Sequence, residues 1–114
     1  MTYQNIVSNG GGTYNPDGTK HYKTEGYFIG GRDCTEIKAE SIKSDTPIKS
    51  IIDKYLTFSR LDGYDFAGFW IDDSILYIER VTCIKNKQHA INQGIRNKQI
   101  AIYDIANDNC ITLD

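Results

Sequence analysis

The chain has no long apolar run, no CxxC pair and no large excess of charge of either sign, and each absence removes a class of protein. No window approaches the roughly 18 apolar residues of a membrane-spanning helix. The opening Met1-Thr2-Tyr3-Gln4-Asn5 is polar and carries no basic residue ahead of an apolar stretch, unlike a secretory signal. A soluble, untargeted protein of the cytoplasm is expected, with no membrane partner. Cys34, Cys83 and Cys110 are odd in number and widely spaced, so neither a disulfide framework nor a zinc site is expected. With 13 basic and 15 acidic residues the formal charge is −2. That is not the basic balance of a duplex-binding module, and it is mild and interspersed for an acidic mimic of nucleic acid.

Catalytic signatures are missing as well. His21 and His89 fall in separate elements, and no GxSxG, HExxH, EF-hand or GxxxxGK[ST] pattern occurs. Nothing pairs a nucleophile with a base, which favours a binding protein over an enzyme. Asp62, Asp65, Asp72 and Asp73 form the one acidic cluster. Such carboxylates can hold a hard cation, but they are also what loops and hairpin turns contain, and no metal or cofactor is expected.

What the sequence does contain is a central hairpin. Ala67-Gly68-Phe69-Trp70-Ile71 and the run from Ile75 to Val81 are rich in β-branched and aromatic residues and flank a break at Asp72-Asp73-Ser74. Most of the core is expected to lie against it. A helix is predicted over residues 46–61, with Thr46 as N-cap, Pro47 at the first helical position and Asp62-Gly63 as the stop. Ile48, Ile51, Ile52, Tyr55 and Leu56 keep the helical rhythm and mark its buried face.

A shorter helix is predicted over residues 86–96, from Ala90, Ile91 and Ile95, with Gly94 weakening it. The chain then closes with a second hairpin, Gln99 to Ile105 and Cys110 to Leu113 around an Ala106-Asn107-Asp108-Asn109 turn. Earlier, Gly26 to Gly31 and Thr35 to Ile42 read as two strands separated by a tight turn at the glycine pair and Arg32. Residues 1–25 read as a loop-rich hairpin or arm, turning at Asn9-Gly10-Gly11-Gly12 and Asn15-Pro16-Asp17-Gly18. At 114 residues this makes one α+β domain, a mainly antiparallel sheet with helices on one face. An aromatic sheet with two modest helices leaves edges to cover, so a homo-oligomer is expected.

Candidate ligand-binding residues follow from chemistry. Trp70 is the single tryptophan, either a core or cross-strand anchor or a platform for a ligand ring, and Tyr27 and Phe28 offer the same stacking. The chain's arginines stand near the ends of predicted elements, and of these Arg32, Arg60 and Arg96 suit the phosphates of a small anionic nucleotide. Asn92 offers hydrogen bonds to base or ribose.

The closing half resembles a group of small bacteriophage and prophage proteins. The residues that carry the likeness are Gly68-Phe69-Trp70-Ile71-Asp72-Asp73, Tyr77-Ile78-Glu79, Ala90 and Gln99-Ile100-Ala101-Ile102-Tyr103-Asp104, with Gly26 to Gly31 as a weaker echo. Within that circle the sequence is similar to the phage anti-Thoeris proteins. The resemblance implies an oligomeric, non-catalytic sponge in the bacterial host cytoplasm that sequesters a cyclic nucleotide or ADP-ribose-derived immune signal. The alternative is a protein-binding inhibitor of a bacterial defence complex, such as a CRISPR effector, with a host defence protein as its partner.

Overall fold

The computed structural model describes residues 1–57 and 65–113. Its elements run α1 (Tyr3–Asn9), β1 (Gly11–Tyr14), β2 (Tyr27–Lys38), a 3-10 turn (Ala39–Ser41), α2 (Ile48–Tyr55), β3 (Asp65–Asp72), β4 (Ile75–Ile84), α3 (Lys87–Arg96), β5 (Ala101–Asp104) and β6 (Asn109–Thr112). The strands form one antiparallel sheet in the order β1-β3-β4-β2-β5-β6. The expected α+β class, with helices gathered on one face, is what the chain adopts.

The hairpin of β3 and β4 sits at the middle of that sheet. Its turn is Asp73-Ser74, both with positive φ (49° and 64°), a two-residue turn whose twist matches the strands it joins. The register that follows sets Trp70 opposite Tyr77, Gly68 opposite Glu79 and Phe66 opposite Val81. Partnered residues share a face, so alternate positions divide the hairpin between two sides of the sheet.

On one side Ala67, Phe69, Leu76 and Ile78 join Tyr14 and Ile37 under α1 and α2, which contribute Tyr3, Ile6, Ile48, Ile51, Ile52 and Leu56. Further along the same side Ile29 and Ile102 pack beneath Ala90 of α3, with Tyr27, Ile91 and Leu113 around them. The opposite side carries no helix among the described residues, and its cluster is Phe28, Phe66 and Val81, bordered by Cys83 and Tyr103.

Several boundaries differ from the sequence expectation. The arm expected over residues 1–25 begins with a helix instead. In α1 the Asn5 side chain accepts the Thr2 N–H at 2.7 Å, Tyr3 and Ile6 fill the core, and Gly10 ends the helix in the left-handed region at φ 77°. Thr13 and Tyr14 belong to β1, which pairs with β3. The expected N-terminal hairpin is reduced to a Tyr14–Lys20 bridge, because Tyr14 is buried while Tyr22 is 87% exposed and pairs with nothing. The two strands expected before and after Gly30-Gly31-Arg32 are one bent strand, β2. Irregularities between Ile29 and Thr35 absorb extra residues, Gly31 and Asp33 taking positive φ, so the chain bulges without turning away from β4.

Helix α2 is shorter than 46–61. Pro47 is extended and acts as the N-cap, and Leu56 is already extended at φ −128°, ψ 148°. Its buried face is the one expected, since Leu56 still packs into the core from outside the helix. The expected stop at Asp62-Gly63 lies outside the described residues. Helix α3 starts where expected, capped by Asn86, whose side chain accepts the His89 N–H at 3.0 Å.

Candidate functional site

The helix-free side of the sheet is hollowed into an open groove of about 460 Å³. Its floor is the middle of the sheet, where the Glu79 carboxylate and the Val81 side chain lie over the two glycines beside them. Gly68 on β3 and Gly30 on β2 flank Glu79 on β4. A Cβ at Gly68 would lie 2.6 Å from Val81 Cγ2, and one at Gly30 would collide with the Glu79 carboxylate, which lies across it. The walls are aromatic. Trp70 and Tyr77 stack with ring centroids 3.9 Å apart, and Phe28 meets Phe66 edge-on at 5.5 Å and Tyr103 nearly parallel at 6.3 Å.

The segment after β1 crosses this side as a strap and contributes the rim. A turn held by Asn15 N–H to Thr19 O at 2.8 Å brings Lys20 and His21 to the groove. The His21 ring stands edge-on to Phe28, 4.9 Å between centroids, and to Phe66 at 6.4 Å. Its Nδ1 accepts the Lys23 N–H at 3.1 Å. Burial, and then the nearby Lys20 charge, push the His21 pKa down, so the ring sits against the phenylalanines as a neutral group.

Glu79 is the groove's one carboxylate, and it is half-buried. Its Oε2 accepts the Gly31 N–H at 2.9 Å. Desolvation raises its pKa, and that backbone bond opposes the rise only in part. At the far end Tyr103 donates its hydroxyl hydrogen to Asp108, which pushes the Tyr103 pKa up to about 12. Gln99 and Cys110 complete that end. Chemically, the groove offers flat rings for stacking, one desolvated acceptor and one ammonium. Among the described residues no three histidine, cysteine or acidic side chains converge as a metal site.

The residues expected from sequence divide between the two faces. Phe28 and Trp70 line the groove, and Trp70 is 43% exposed while stacking across the strands on Tyr77. Tyr27 points to the other side, against the cluster of Ile29, Ala90 and Ile102. Arg32 is committed to the protein itself: Nη2 meets Asp65 Oδ1 at 2.6 Å and also bonds Thr82 Oγ1, so it is no phosphate clamp beside the aromatics. Asn92 is exposed on α3, where it accepts from Gln88 Nε2 at 3.0 Å, and Arg96 is exposed in the last turn of α3; neither lines the groove. Arg60 lies outside the described residues.

Sequence reasoning missed Glu79, Lys20 and His21 on the groove lining, and Tyr77 as the residue that stacks on Trp70. Three of these are recoverable in hindsight. Once the turn is placed on Asp73-Ser74, counting outward pairs Tyr77 with Trp70 and Glu79 with Gly68, and the strap turn at Asn15-Pro16-Asp17-Gly18 throws Lys20 back toward β1. His21 carries no such local signal.

No protein-family model matches this chain, and neither the curated proteins nor the solved structures yield a match.

Proposed function

We propose that the protein is a non-catalytic binding module that takes the ring of a small nucleotide or ADP-ribose-like molecule into the groove and acts by sequestering it. The observation that carries this reading is the exposed Trp70, stacked on Tyr77, beside Phe28 and Tyr103 on one open hollow. Aromatic walls with a few polar groups are the usual composition of a small-molecule site. Among the described residues Lys20 is the one lysine or arginine on the groove lining. The groove therefore serves a ring more than a diphosphate.

In the counter-defence setting implied by the resemblance to phage proteins, the captured molecule is a cyclic immune signal of the bacterial host cytoplasm. A thermal-shift panel of cyclic nucleotides and ADP-ribose derivatives tests this. A true ligand at a hundred times its Kd adds about 2.7 kcal/mol of stability. Recovery of that ligand chemically intact after denaturing the protein supports sequestration, and a cleaved product overturns it in favour of an enzyme.

The second reading is a protein-binding inhibitor of a defence complex. The observation in its favour is the exposure of Trp70 on a sheet face that no helix covers among the described residues. Aromatic residues on an uncovered face are typical anchors for a protein partner. A flat ligand panel together with co-elution of the protein with such a complex selects this reading. Self-association belongs to either reading, and light scattering that gives a mass near 12.9 kDa at micromolar concentration counts against it.

A further inference from the structure

Glu79 is out of keeping with its surroundings. It stands among Phe28, Val81, Trp70 and two glycines, where a carboxylate loses much of its hydration, and its Oε2 already accepts from the Gly31 N–H. No hydrogen bond among the described residues reaches Oε1. A side chain that only filled the space between Gly30 and Gly68 would be more stable there without a charge. A desolvated carboxylate with an open lone pair is a strong acceptor for an N–H, and such charge-assisted bonds are about twice as strong as neutral ones.

We propose that Glu79 is the specificity-determining residue of the groove and that the ligand is a planar ring carrying an amino group, whose N–H is received by Glu79 Oε1. This rests on the groove being a ring-binding site. The register supports the placement: Gly68 stands opposite Glu79, and Trp70 opposite Tyr77, two positions further along both strands. A ring seated against the exposed Trp70 thus lies on the same side of the sheet as the Glu79 carboxylate. Ring systems that present only acceptors toward Glu79 are rejected, because two unpaired acceptors then face each other in a poorly hydrated place.

Binding to two matched pairs of nucleosides tests the assignment, followed by the fluorescence of Trp70. Adenosine is compared with purine riboside, which lacks the 6-amino group, and guanosine with inosine, which lacks the 2-amino group. In at least one pair the amino-bearing member is expected to bind about ten-fold tighter or more, the lower bound for a hydrogen bond to a charged group. Glu79→Gln is expected to shrink that preference to under about three-fold without lowering the unliganded melting temperature.

Equal affinity within both pairs, with binding retained, overturns the role of Glu79 and leaves the groove standing as a ring site. A preference that survives Glu79→Gln unchanged has the same effect. Failure of all four nucleosides to bind overturns the amino-ring assignment, and the cyclic-nucleotide panel then decides whether the groove reading falls with it.

Discussion

Trp70 and Tyr77 face each other from partnered positions on β3 and β4, their planes within 10° of parallel and their centroids 3.9 Å apart. Such a pair contributes about 0.5–1.5 kcal/mol beyond its buried area. Trp70→Ala is expected to cost about 1 kcal/mol of stability, small because the side chain is 43% exposed, while weakening any stacked ligand ten-fold or more. Denaturant unfolding set beside ligand titration separates the two effects. A loss above about 3 kcal/mol would mark Trp70 as a core residue.

Arginines 32 and 96 are expected to behave oppositely. Arg32 holds Asp65, which is 2% exposed, and removing one partner of a buried pair leaves an uncompensated charge. Arg32→Ala should cost about 3 kcal/mol, the low end for such pairs because Thr82 Oγ1 still donates to Asp65 at 3.2 Å. Arg96 is an exposed basic residue in the last turn of α3, so Arg96→Ala should cost under about 1 kcal/mol. Urea midpoints of the two variants check the contrast.

Glu79 makes stability depend on pH in a direction opposite to that of a salt-bridged carboxylate. Its pKa is raised above the ordinary 4.5 by desolvation, so the folded state holds the proton more tightly than the unfolded chain. The resulting stabilisation is present in full below 4.5 and is lost as the pH rises through the folded value. Glu79→Gln should therefore melt like the wild type near pH 4 and above it at pH 7. The other titratable side chains here are His21 and Lys20 on the strap and Tyr103 and Cys110 on the groove lining, with Tyr77 stacked on Trp70. Those five are unchanged in Glu79→Gln, so the difference between the two melting profiles isolates position 79.

Replacing Gly94 tests how closely α3 sits on the sheet. In an isolated helix Gly94→Ala would gain about 1 kcal/mol. Here the new methyl would lie 2.6 Å from Leu113 Cδ1 and 2.8 Å from Ile102 Cγ2, and Ile102 is buried and branched. Overpacking of that kind costs about 1–3 kcal/mol. The net change is expected to be destabilising, and a melting temperature above the wild type would mean that α3 can ride outward at no cost.

The central hairpin, the buried stripe of α2, the start of α3 and the closing hairpin were all legible, because each is specified by residues close together in the chain. Sheet order was not, since nothing near Gly11-Gly12-Thr13-Tyr14 announces that it pairs with 67–70. Helix α1 escaped because it is 7 residues long and buries two apolar side chains, Tyr3 and Ile6, with a polar cap that reads equally well as a turn. The site was half legible for a related reason. Type told that Trp70 and Phe28 can stack, but which face a side chain takes depends on register. Tyr27 and Phe28 are neighbours in sequence and lie on opposite sides of β2. Arginine chemistry misled for Arg32, whose partner Asp65 comes from another strand.

The order β1-β3-β4-β2-β5-β6 also sets a timetable. Two neighbouring pairs, β3 with β4 and β5 with β6, are joined by short turns, whereas β1–β3, β2–β4 and β2–β5 bring together segments distant in the chain. Closing long loops must precede the contacts that reward it, so sheets of this kind form in about milliseconds to seconds. The groove draws on β1, β2, β3, β4, β5 and β6 at once. The central hairpin is thus expected early and the complete groove last, an order that stopped-flow refolding followed by Trp70 fluorescence checks.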